Sequence, residues 1–100
     1  MIVLNNKDAS QTSEHAEKEQ KKTFEDLFRM EVDAYCEYKE LKEDTEDAVL
    51  DMALEEIMMD EYLHAKFLRD YMMDKDMYYL KEDDPHVKKF WKIHKKLFRG

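Results

Sequence analysis

From Ser13 onward, apolar residues recur at helical spacing. Phe24, Leu27, Phe28, Ala34, Tyr35, Tyr38 and Leu41 keep a three-four rhythm, with Glu31 set into the same stripe. The pattern predicts a first helix that Ser13 can cap. "KEDTEDA" interrupts it, and Asp44 or Thr45 is expected to cap a second helix with acids in its first turn. The second stripe runs through Leu50, Ala53, Leu54, Ile57, Glu61, His64, Leu68, Tyr71 and Met72. So short a break predicts an antiparallel helical hairpin. "KEDDPH" is a firm stop, with Asp84 suited to an N-cap and Pro85 to the first turn of a third helix. That helix has Val87, Phe90, Trp91, His94, Leu97 and Phe98 on one side and lysines on the other. Residues 1–12 show no sustained period and are expected to form a flexible tail. The chain thus divides into a tail (1–12), a hairpin (13–82) and a basic amphipathic helix (83–100).

Both hairpin stripes are too wide for the hairpin itself to cover. Helix two adds Met52, Met58, Met59, Tyr62, Leu63 and Phe67 to its apolar surface. A hairpin with several apolar sides is half of a bundle, so pairing of two chains into a four-helix bundle is expected. The fold class is all-α.

Composition agrees with that class. The 100 residues hold one Gly and one Pro, and 43% hydrophobic content is too apolar for a disordered chain. No apolar run reaches the ~20 residues of a membrane span, so no membrane role is expected. Cys36 is the one cysteine, which excludes a disulfide framework and suits a cytoplasmic setting. The net charge of −8 hides an asymmetry: residues 86–99 carry six Lys/Arg and no acid, leaving 11 basic against 25 acidic residues elsewhere. A body of that charge repels nucleic acid and concentrates cations.

A carboxylate and an imidazole in an apolar stripe need a hydrogen bond, a proton or a metal to satisfy them. Glu31 lies roughly 13 residues before the turn and Glu61 roughly 16 after it, so at about 1.5 Å per residue they fall within about one helical turn of each other. Glu61 and His64, at i and i+3, share a face. Two carboxylates and an imidazole suit a first-row divalent ion such as iron, manganese or zinc. With 13 Glu and 4 His in the chain, Glu-x-x-His by itself is a weak signal, for which a core histidine paired to Glu61 or Tyr38 is the plainer reading; Glu31, the Tyr38 spacing and the incomplete bundle together favour metal. The set is half of the four-Glu, two-His complement of di-iron carboxylate bundles, which a two-fold dimer would complete. Tyr38 is either core or a hydrogen-bond donor to a ligand carboxylate. The methionines read as core filling, and His15, His86 and His94 as surface or interface residues.

The spacing Glu31, Tyr38, Glu61, His64, Ala65 resembles the ferritin-like superfamily, and most closely the encapsulated ferritin family. That family has a Glu on helix one, a Tyr seven residues on, and Glu-x-x-His-Ala thirty residues after the first Glu. The likeness covers roughly residues 13–75, making 13–82 a ferritin-like hairpin. Where the family carries an acidic pair flanking the first Glu, this chain has Met30 and Asp33, and its "KKLFRG" ending is unlike the family's shell-docking segment. The resemblance implies a ferroxidase that oxidises Fe(II) with O2 at a di-iron site shared across a homodimer. Glu31, Glu61 and His64 would hold two irons per dimer, and Mn, Zn or Ca could substitute. It also implies an annular decamer and an encapsulin shell. Two other readings stand beside it: a rubrerythrin-like peroxide reductase, and a non-catalytic helical interaction module.

Overall fold

The structure, a computed structural model, describes residues 13–98, with side chains described from residue 23. The expected tail, residues 1–12, lies outside the described residues. Three helices and no strand are present among them: α1 (Ser13–Asp44), α2 (Ala48–Asp74) and α3 (Pro85–Leu97). None is long and apolar enough to cross a membrane.

The α1–α2 turn is three residues long, which makes the hairpin antiparallel. Its cap differs from the sequence expectation. Asp44 still belongs to α1, and Asp47 caps α2, accepting from Val49 N at 2.9 Å and Leu50 N at 3.2 Å. Thr45 Oγ1 instead accepts from the Asp47 amide at 3.2 Å, holding the cap residue itself. A cap must sit two or three residues before the amides it satisfies, and only Asp47 has that offset.

Helix α2 ends in a left-handed residue. Asp76 has φ 58°, and Met77 N donates back to Met72 O at 2.7 Å. This is a Schellman-type closure with Asp in the place glycine usually takes. Asp84 caps α3 as expected, accepting from His86 N at 2.8 Å and Val87 N at 3.3 Å, with Pro85 following.

One core serves all three helices. Phe28, Val32 and Tyr35 of α1 meet Met58, Tyr62, Ala65 and Met72 of α2, and Val87, Phe90 and Ile93 of α3 close over them. The buried seam is therefore rotated from the one expected. Leu27, Leu41, Leu50 and Ile57, read from sequence as core, remain substantially exposed. Each long helix carries two apolar sectors, and α3 covers one of them. The Arg29–Asp84 ion pair (3.2 Å) and the His86–Asp33 hydrogen bond (3.0 Å) fasten the start of α3 to α1. Among the described residues the other sector stays uncovered, flanked by Met30, Phe67 (63% exposed) and Tyr71.

Candidate metal centre

The three polar residues singled out by spacing meet in the middle of that open sector. Glu31 comes from α1, Glu61 and His64 from α2. His64 Nδ1 lies 2.8 Å from Glu31 Oε2 and 3.5 Å from Glu61 Oε1. One ligand atom from each residue falls within 4.8 Å of the others, the one such group of three among the described residues. Donors bound at about 2.1 Å to a common ion stand at most about 4.2 Å apart. The separations of His64 Nδ1 from Glu31 and Glu61, 2.8 and 3.5 Å, lie inside that limit.

Within one chain the cluster is only partly satisfied. The Glu31–His64 hydrogen bond is short, but Glu61 at 3.5 Å is beyond a good one. The Glu61 side chain is 18% exposed, that of His64 61%. Burial raises the Glu61 carboxyl above the ordinary carboxylate range, and the charges of Glu31 and Asp60 add to the rise while His64 opposes it. A carboxylate that resists ionisation beside a second carboxylate is one that a cation would relieve. The donor set, two hard oxygens and one imidazole, fits a first-row divalent ion. Three residues leave its coordination incomplete, and the open side faces outward through a depression lined by Leu27, Glu31, His64, Phe67 and Leu68.

Tyr38 stands apart. It is half-buried against the core, and no hydrogen bond joins it to the three among the described residues. Asp33 is engaged by His86 Nε2 rather than by the cluster, and Met30 is exposed. Cys36 is half-buried in a cleft with Lys39, Lys89, Lys92 and Lys96, and burial pushes its thiol up, away from reactivity.

His94 was expected at a surface or interface. It is instead an internal partner, its Nδ1 2.6 Å from the Tyr62 hydroxyl and its ring against Phe98 and Trp91. The sequence signal for this pair is thin. Tyr62 falls one residue off the predicted stripe, and only the rotated seam brings it under α3. The His15 side chain lies outside those described.

No family model matches the chain, and no curated protein or solved structure matches it either.

Proposed function

We propose that this chain is a ferroxidase subunit whose site is completed by a second copy. The observation that carries the reading is the placement of Glu31, Glu61 and His64. They converge within 4.8 Å in the middle of an apolar surface that none of the described residues covers. A solvated charge cluster has no need of an apolar frame, whereas a buried ligand set at a bundle interface does.

Two copies related by a two-fold axis would bring four carboxylates and two imidazoles together. Glu31 and His64 then act as terminal ligands, and Glu61 of each chain as a bridge between two ferrous ions. Binding at His64 Nδ1 would replace its hydrogen bond to Glu31, with the imidazole proton carried on Nε2. Oxygen takes one electron from each of two Fe(II) ions and two protons from solvent, giving two Fe(III) and hydrogen peroxide. Carboxylates favour the product because hard anionic oxygens hold the ferric state more tightly than the ferrous. Iron is the substrate here, and the resemblance to encapsulated ferritins supports storage or detoxification as its purpose. By the same resemblance, the dimers would assemble into a ring, while the ending "KKLFRG" lacks the family's shell-docking segment.

Aerobic addition of Fe(II), followed by ferric absorbance, tests the proposal. Glu31→Ala and His64→Ala should each lower the initial rate at least tenfold with helical content unchanged. Wild-type rates in both variants would remove the site from the reaction.

A further inference from the structure

Where α3 crosses α1, the two helices enclose a cleft of about 180 Å³. Its floor is apolar: Tyr35 is 4% and Ile93 8% exposed, with half-buried Cys36 beside them. Four lysines line it, Lys39 from α1 and Lys89, Lys92 and Lys96 from α3, and no acid does. The three on α3 stand at i, i+3 and i+7, on one helix face. Cys36 is five residues past Glu31, about 140° around α1, so the cleft faces away from the sector that holds Glu31.

These lysines differ from the others in one respect. Among the described residues, Lys39, Lys42, Lys66 and Lys75 each have a carboxylate within 4.0 Å. Lys89, Lys92 and Lys96 have none, although the chain carries 25 acids against 17 Lys and Arg. Their charge reaches the cleft floor. Burial raises the Cys36 thiol, and Lys89 opposes that rise more than any other charge. Asp33 and Glu40 add to the rise, but Asp33 is engaged by His86 and Glu40 is exposed outside the cleft. Unpaired ammoniums gathered over an apolar floor repel one another, and an anion seated among them would turn that repulsion into attraction.

We infer that this cleft binds a small phosphate monoester with an apolar body, the phosphate among the four lysines and the body against Tyr35 and Ile93. The choice of phosphate follows from the cations. Planar carboxylates are best met by the rigid fork of arginine, and no arginine lines the cleft; lysine ammoniums act as point charges that turn to meet a tetrahedral anion. A phosphate monoester carries close to two negative charges above about pH 6, so it offsets the lysines better than a monoanion does. Volume limits the body. Drug-sized ligands take about 300–1,000 Å³, and this cleft therefore admits one ring or a short chain. A long polyanion would instead engage Lys88 and Lys95, which lie about 100° around α3 from Lys89 and Lys96 and outside the cleft.

Cys36 is the one cysteine in the chain, so its alkylation reports occupancy. The full chain, without added metal, is treated with iodoacetamide at mildly alkaline pH and followed by mass spectrometry. Millimolar phenyl phosphate should slow the reaction at least fivefold and saturably. Inorganic phosphate should need at least threefold higher concentration, and phenol should give no protection. Lys92→Gln with Lys96→Gln should weaken phenyl phosphate binding at least tenfold. Lys88→Gln with Lys95→Gln removes the same charge and should weaken it less than twofold. All four positions are exposed, and calorimetric titration of the wild type reads binding without any variant. Absence of saturable protection and of binding heat in the wild type overturns the assignment. Equal losses in the two double variants overturn it too, since α3 would then be a general polyanion surface. So does protection by anionic phospholipid vesicles that phenyl phosphate fails to reproduce. With no metal present, the outcome is independent of the ferroxidase reading.

Discussion

His64 Nδ1 and Glu31 Oε2 stand 2.8 Å apart although 33 residues separate them in the chain. The contact ties the midpoints of α1 and α2 on the side that α3 leaves open. It also orients the ring, turning Nδ1 toward both carboxylates, where its lone pair would be a metal ligand.

Glu61 makes the metal-free protein sensitive to pH. Its carboxyl is raised in the fold, by burial first and then by Glu31. The folded state therefore binds that proton more tightly than the unfolded chain does. The resulting stabilisation is present below the ordinary carboxylate range and is lost as pH rises through the raised folded value. Glu61→Gln should melt a few degrees above wild type at neutral pH without metal, and the advantage should vanish in acid. Differential scanning calorimetry at two pH values checks it. A lower melting point for the variant at neutral pH would contradict the account.

Asp84 titrates in the opposite sense. Burial works to raise its carboxyl, but the His86 amide, the Arg29 guanidinium and the Val87 amide outweigh it and hold the group below the usual range. Its contribution is present above the unfolded carboxylate range and is lost as pH falls through the depressed folded value. Asp84→Ala should cost about 1 kcal/mol as a lost cap, or about 4–8 °C in a domain of this size. Tyr62 lies beneath α3, so near-ultraviolet circular dichroism should weaken along with the melting point.

The two apolar sectors of α2 should respond differently to the same insult. Met58 belongs to the buried seam, while the adjacent Ile57 is 37% exposed on the open side. Met58→Asp buries an unpaired charge and should unfold the chain at 37 °C. Ile57→Asp should keep the helical content yet prevent association and lower iron oxidation at least tenfold. Sedimentation and circular dichroism separate the two. An Ile57→Asp chain that associates and oxidises iron like wild type would mean that the open sector is not an interface.

How far the sequence carried depends on which residue is asked about. The helical hairpin, the Asp84–Pro85 start of α3 and the convergence of Glu31, Glu61 and His64 all follow from local rules of period, capping and rise per residue. The seam did not. Leu27 and Phe28, or Ile57 and Met58, are adjacent apolar residues pointing about 100° apart. Periodicity says that both sectors are apolar, but not which one α3 will cover. The Tyr62–His94 bond was hidden for the same reason, since it exists only where α3 crosses α2. Asp47 outcompeted Asp44 as the cap because α1 runs three residues past Leu41, where its apolar stripe ends, and so takes in Asp44.

The claim that the site is shared between copies meets its most direct test in metal-dependent assembly. Four carboxylates gathered in one apolar interface repel each other, and two divalent ions convert that repulsion into coordination. Metal must then stabilise whichever oligomer holds the whole site. Anaerobic Fe(II), or redox-silent Zn(II), titrated into the protein and read by native mass spectrometry should shift mass toward dimers and their multiples. Saturation is expected at about one ion per chain, and Glu61→Ala should abolish the shift. Tight binding of one ion to a chain that stays monomeric throughout the titration would contradict the shared site.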